Sequence, residues 1–359
     1  MASKIPYDTS ADALLHPAKN AVFFQGWAPA DSQNHDLLCA EMSRLAYASP
    51  EVVRSSLVRI GFMPPDFIGG DGVDERKDLR GTQGFVTHHP SLGLTVLAFR
   101  GTEPDKFEDL LSDTKTLQRE WPNSPGCLVH AGFADGWDPV KDRVTSLLAN
   151  REDVLLMTGH SLGAALATLA AIVVRPTKLI TFGSPRVGNE NFCALLAGVE
   201  VRRFVHCCDL VARIPPERFD QKHVSELAQT DLRAFFRPSL LRRAVAAIAS
   251  AFHAPHPDPD LDPHFKHAAL ARYADRNGQI QADITDEAVL EDQAAARRAY
   301  RQAAPKSFWQ LGKLFARAST SVPFRDLADH APINYVSLFT GRSAPARCRP
   351  PDVQRRSGV

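Results

Sequence analysis

Gly159-His160-Ser161-Leu162-Gly163 is the stretch of this sequence whose residue types could carry covalent chemistry. A serine with glycine two residues away on either side fits the sharp turn that presents a nucleophile between a strand and a helix. The bare pattern is weak, and its surroundings strengthen it. Residues 154–158 before it form a strand-like apolar run, and residues 164–174 after it form a helix-like one. At such a turn, side chains in place of the two glycines would collide with the facing backbone. The small Ala164, Ala165 and Ala167 let the helix lie close to a sheet. The helix N-terminus then brings partial positive charge to the place where an oxyanion would form.

A serine hydroxyl needs a base to take its proton and a carboxylate to orient that base. In a strand–turn–helix setting the partners follow in the order serine, acid, histidine. The acid belongs just past the C-terminal end of a strand. Asp209 directly follows the apolar run 201–207 and meets that condition, with Asp220 as the fallback. Six histidines follow Asp209: His223, His253, His256, His264, His267 and His330. Four of them lie in a proline-rich stretch and could simply be solvated. His330 stands where the pattern turns apolar and the chain could re-enter the core. A histidine, with a reference pKa near 6.5, suits base work at neutral pH. Pattern alone leaves the choice among them open.

The elements that must hold these residues can be read from periodicity. Leu38, Met42, Leu45 and Ala46 recur at helical spacing. Ser49-Pro50 signals a helix start running through about Leu57, and Asp138-Pro139 signals another. Val140, Val144, Leu147 and Leu148 would share its buried face. Residues 84–88 and 94–99 flank a turn and predict a hairpin. The apolar runs 154–158, 179–182 and 201–207 are as long as buried strands. With the helix-like 162–174 between the first two, they predict an α/β domain with a mostly parallel sheet covered by helices.

The sequence divides into an irregular N-terminal arm (1–34), a core (35–216), a helical insertion or cap (217–323), a return to the core (324–340) and a basic tail (341–359). The tail carries five arginines and one acid and reads as disordered. Within the insertion, residues 239–252 and 307–318 are amphipathic helix candidates, and 253–267 reads as a loop.

Composition sets bounds on function. The 359 residues are 44% hydrophobic and 23% charged with a formal net charge of +1, so nothing global points to nucleic acid. No apolar stretch is long enough to span a bilayer, and the first residues lack the apolar region of a secretory signal. The six cysteines, with no CxxC pair, favour free thiols. The expected compartment is the cytoplasm, with leaderless export and peripheral membrane contact left open.

These residues resemble the class 3 lipases, the group that includes the fungal triacylglycerol lipases. The resemblance covers roughly residues 36–216 and 324–340. Its marks are Phe99-Arg100-Gly101-Thr102, Val129-His130-Ala131-Gly132-Phe133, the run 159–169, Thr181-Phe182-Gly183-Ser184-Pro185-Arg186-Val187-Gly188-Asn189, and Asp209 in Cys-Asp-Leu-Val-Ala-Arg-Ile-Pro. The resemblance implies an α/β-hydrolase fold and ester hydrolysis without a cofactor or metal. It implies Ser161, Asp209 and His330 as the catalytic residues. It implies an oxyanion hole from the Thr102 hydroxyl and the backbone N–H groups of Thr102 and Leu162. Two departures stand out. The stretch 103–111, where the family has its lid, is acidic, with only Phe107, Leu110 and Leu111 apolar. In addition, 120 residues lie between Asp209 and His330, more than compact members need, so 217–323 reads as an insertion over the crevice.

Other features carry less. Asp258, Asp260 and Asp262 alternate like calcium ligands, but Pro263 and Ala269 stand where such a loop needs glycine and glutamate. Residues 239–252 could touch a membrane surface or pack on their own domain. Gly183-Ser184 reads as a structural turn. The expected activity is lipase-type hydrolysis of acylglycerol or related lipid esters. The alternatives are a short-chain or aryl esterase, a phospholipase, an acyltransferase, or a non-catalytic binding protein.

Overall fold

A computed structural model describes residues 5–18, 22–24, 27, 34–69, 82–101, 118–149, 151–215, 217, 264–281, 284–303 and 325–340. Thr102, Asp220, His223, His253, His256, the lid stretch 103–111, the acidic turn 258–262, the helix candidates 239–252 and 307–318, and the tail lie outside the described residues.

The chain enters through a short helix, α1 (Ala11–Leu15), capped by Ser10. Helices α2 (His35–Leu45) and α3 (Pro50–Arg59) follow. Strands β1 (Asp66–Gly69), β2 (Thr82–His89) and β3 (Leu94–Phe99) come next, with a separate hairpin of β4 (Gln118–Trp121) and β5 (Ser124–His130). Then come α4 (Ala131–Trp137), α5 (Lys141–Leu148), β6 (Val154–His160), α6 (Leu162–Val174), β7 (Lys178–Phe182), α7 (Glu190–Ala194) and β8 (Glu200–His206). After the insertion begins, β9 (Ala271–Ala274), β10 (Ile280–Gln281) and α8 (Asp286–Ala303) appear, followed by α9 (Arg325–Ala328) and α10 (Pro332–Phe339).

The main sheet runs β1-β2-β3-β6-β7-β8-β9-β10. Pairing is parallel from β3 through β9 and antiparallel at both margins. Alternation along each strand splits the core into two layers, because successive side chains point to opposite faces. Val96, Ala98, Leu156, Ile180, Phe182 and Phe204 face α2, α3 and α10. Leu97, Phe99, Leu155, Met157 and Leu179 face α4, α5, α6 and α7. Burial on both faces is why the central strands read as continuous apolar runs rather than alternating ones.

Some boundaries differ from the sequence expectation. Asp138 closes α4, its N–H bonded to Ala134 O, so Asp138-Pro139 marks a junction and α5 starts at Lys141. The arm is not wholly irregular: it contains α1, and Phe23, Phe24 and Trp27 are buried in the first layer. The insertion is not wholly helical. Its residues 271–274 pair with β8, and Asn277-Gly278 turns the chain into β10, with Gly278 at φ 78°.

Phe204 shows how tightly the first layer is packed. It stacks on Phe182 at 5.5 Å and meets Phe339 edge-on at 5.0 Å, with 1% of its surface exposed. Truncating a buried aromatic side chain costs about 3–5 kcal/mol. Phe204→Ala should therefore lower unfolding free energy by about that amount in urea titration.

Candidate active site

Ser161 sits between β6 and α6 with φ 59° and ψ −128°, outside the regions ordinary residues favour. The neighbouring glycines make that turn possible. A Cβ at Gly159 would lie 2.2 Å from Gly163 O, and one at Gly163 would lie 2.4 Å from Phe99 O. The turn thus folds against itself and against the end of β3. Ser161 N–H donates to Phe182 O at 3.1 Å, which fixes the turn to β7. The hydroxyl oxygen is buried and has no hydrogen-bond partner among the described residues. Half-buried Leu162 opens α6, so its N–H is among the helix donors that have no intrahelical partner.

Asp209 lies in the loop after β8 and is fully buried. Val211 N–H donates to its Oδ1 at 2.8 Å. His330 Nδ1 lies 2.9 Å from both carboxylate oxygens. The pair packs against Gly183, where a Cβ would sit 2.5 Å from Asp209 Oδ2 and 3.1 Å from His330 Nδ1. Gly183 directly follows Phe182, whose carbonyl holds Ser161. The structure therefore brings Ser161, Asp209 and His330 into one neighbourhood. His267 hydrogen-bonds to the backbone of Ala212 and lies near Arg203 and Arg186. Ser184 is buried, with its hydroxyl on Pro185 O at 3.1 Å, as a turn residue would be.

Tyr335 supports the acid. Its hydroxyl donates to Asp209 Oδ2 at 2.5 Å and accepts from His206 N–H at 3.1 Å. Burial and the neighbouring Asp209 push its phenol well above the ordinary range, so it stays a donor. His130, in the second motif block, stacks on Phe133 at 4.3 Å. Burial lowers it to about 4 against a small opposing pull from Asp135, so it is neutral.

A second carboxylate network lies behind the first. Asp329, next to His330, accepts from Cys208 N–H at 2.8 Å, pairs with Arg325 Nε at 3.1 Å and His206 Nδ1 at 3.2 Å, and takes the Tyr7 hydroxyl as well. It ties the loop carrying His330 to the loop carrying Asp209. Burial alone would raise its carboxyl, but His206 and Arg325 hold it well below the usual range. Cys207, Cys208 and Asp329 cluster closely enough to suggest metal ligands. The chemistry does not fit: Asp329 already accepts from Cys208 N–H, Arg325 and Tyr7, and burial raises the Cys208 thiol.

Residues 96–219 match the profile described as Lipase (class 3). This stretch is therefore similar to the class 3 lipases. A secreted mono- and diacylglycerol lipase of Fusarium solani is 41% identical over 112 residues, 28% of this chain and 33% of that one. A chloroplastic phospholipase A(1) of Arabidopsis thaliana is 31% identical over 180 residues, 42% of this chain and 39% of that one. The matched stretches thus span about a third to two fifths of these relatives. Lipase II from Rhizopus niveus aligns with a TM-score of 0.43 at 23% identity, over 53% of this chain and 77% of that chain.

Sequence reasoning passed over Tyr335 as a partner of the acid, and Asp329, His206 and Tyr7 altogether. Asp329 and Tyr335 flank His330 within five positions, which is the signal that was there to be read.

Asp329 gives a pH-dependent expectation. A carboxyl whose folded pKa lies below its unfolded value of about 3.9 stabilises the fold fully above that value. The stabilisation is lost as pH falls through the folded pKa. Asp329→Asn should cost about 3–5 kcal/mol near neutrality, because Arg325 is left buried and uncompensated. The variant's loss should shrink as acid is added below about pH 4, read by urea titration at several pH values.

Proposed function

We propose that this protein is a serine carboxylester hydrolase of the lipase type, acting on acylglycerols or related lipid esters. The observation that carries this is the buried Asp209–His330 pair beside the strained Ser161 turn. In this reading Ser161 Oγ attacks the ester carbonyl while His330 Nε2 takes its proton. Asp209 holds Nδ1–H and stabilises the imidazolium that forms. The oxyanion is stabilised by Leu162 N–H at the start of α6 and by Thr102. His330 returns the proton to the departing alcohol. Water, activated by the same base, then cleaves the acyl-enzyme and releases the acid. No metal or cofactor has a role in these steps.

Lipid esters are favoured over soluble ones by the names of the relatives, a mono- and diacylglycerol lipase and a phospholipase. Among the described residues no helix is long and apolar enough to cross a membrane. Free Cys39, Cys127, Cys193, Cys207 and Cys208 support a reducing compartment such as the cytoplasm, against the word "secreted" in the name of the Fusarium relative.

The test is ester hydrolysis across acyl chain lengths, from soluble butyrate to emulsified long-chain glycerides, with Ser161→Ala alongside. Activity should vanish in the variant and rise with chain length. Fluorophosphonate should label Ser161, and an adduct on any other residue would refute the assignment. His330→Ala should reduce turnover by at least ~10³-fold. Activity confined to short soluble esters would remove the lipid part.

We further propose that residues 217–323 cover the crevice and tune acyl-chain choice. Glu217 O accepts from Phe265 N–H at 3.1 Å, and Glu217 also pairs with Lys266, so the chain leaves and returns at one point. Replacing 218–263 by a short glycine-rich linker should keep the core folded and change the chain-length profile. A folded variant with an unchanged profile would defeat the idea.

A further inference from the structure

His160 is buried beside the nucleophile and has no part in the chemistry outlined above. It ends β6 and immediately precedes Ser161. Its Nε2 lies 2.8 Å from the carbonyl oxygen of His330. Its Nδ1 lies 2.8 Å from the Tyr47 hydroxyl. Its ring faces the His330 imidazole with centroids 4.4 Å apart, tilted by 37°.

These contacts fix the proton. A carbonyl oxygen only accepts, so Nε2 carries the hydrogen. Nδ1 is then a lone pair, and the Tyr47 hydroxyl donates to it. A protonated ring would reverse that second contact, making the Tyr47 hydroxyl the acceptor. It would also place a cation against His330 at the moment His330 must itself become a cation. Burial, and then the neighbouring His330, hold the His160 pKa well below its ordinary value.

Tyr47 extends the contact to a third element. A Cβ at Gly101 would lie 2.0 Å from the Tyr47 hydroxyl and 2.6 Å from His160 O. Gly101 is the residue before Thr102. The end of β3 therefore rests directly on Tyr47 and His160. Three parts of the site meet at one imidazole: the nucleophile turn through the chain, the base through its carbonyl, and the backbone leading to Thr102 through Tyr47.

We propose that His160 is a positioning residue, kept as a neutral Nε2–H imidazole, that holds the His330 backbone and the Gly101 strand end in register with Ser161. The proposal rests on the hydrolase reading above. It acts through His330 and Ser161 and touches no substrate. A displacement of about 1 Å at a reacting group can cost ~10²-fold in rate, and that is the scale of loss when this link is cut.

The experiment has a spectroscopic arm and a kinetic arm, both on the full chain. Nitrogen-15 histidine NMR, with His160 assigned by comparison with a His160→Gln variant, reads its tautomer directly. His160 should remain a neutral Nε2–H ring between about pH 5 and pH 9, a range in which an ordinary histidine titrates. A titrating His160, or the Nδ1–H tautomer, overturns the proposal whatever the activity. In kinetics, His160→Phe keeps an aromatic ring and loses both hydrogen bonds, so kcat should fall ~10²-fold while KM stays within about twofold. His160→Gln keeps one donor and one acceptor and should recover most of that loss. Tyr47→Phe should lose less than His160→Phe, because it cuts only one of the two bonds. Full kcat in a folded His160→Phe overturns the positioning role while leaving Ser161 labelling, and so the hydrolase reading, intact. Absence of both ester hydrolysis and Ser161 labelling in the wild type overturns the hydrolase reading, and the positioning role falls with it.

Discussion

The approach of α6 to the end of β3 is the contact on which the site depends. Gly163 lies against Phe99 O so closely that a methyl group could not be placed there. Because the backbones touch, the helix N-terminus arrives beside the sheet edge and Ser161 is forced into its strained conformation. That strain is held by what surrounds it: Phe182 O on the Ser161 amide, Ala164 and Ala165 buried behind, and the second glycine at Gly159. Local strain of this kind persists only where packing over-determines it. Here two strands and a helix converge to do so.

The second constraint is electrostatic. Two carboxylates, Asp209 and Asp329, are buried within one stretch of loops, and each is satisfied by donors from different segments. Asp209 has Val211 N–H, Tyr335 and His330. Asp329 has Cys208 N–H, Arg325, His206 and Tyr7. A buried charge without partners would be expelled or neutralised. The division of donors leaves Asp209 facing the His330 imidazole, beside the Ser161 turn. Arg325 compensates the other acid. Burial can therefore be complete without competition for His330.

Much of this was legible in the sequence. The glycine spacing around Ser161, the small residues after it, and the apolar runs of β6, β7 and β8 follow from sterics and from burial on both sheet faces. Asp209 was legible because an acid within three residues of the end of a buried strand has few structural reasons to be there. His330 was legible from pattern only as one candidate among six histidines. Its choice came from resemblance, since nothing local says that a residue 121 positions away will meet Asp209. The insertion was read as helical because its Ala-rich segments suit helices and four residues, Ala271–Ala274, are too few to show alternation. Asn277-Gly278 was the turn signal that marked the hairpin. Tyr47 and His206 were invisible for a different reason: each is an ordinary core aromatic in sequence, and only tertiary contact reveals what its polar atom holds.

The tie between the first residues and the last helix has a consequence for how the protein comes to be active. Tyr7 reaches Asp329 and Asp8 N–H reaches Asn334 at 2.7 Å, while Ile5 N–H reaches Thr340 at 3.1 Å, across sequence separations of 322, 326 and 335. Contacts so distant form only after large loops have closed, and such closures slow folding. The sheet and the serine turn can assemble from residues within the core, but the loop bearing His330 acquires its final anchorage only when residue 7 meets residue 329. The last helix and the loop bearing His330 are thus held from both ends of the chain at once.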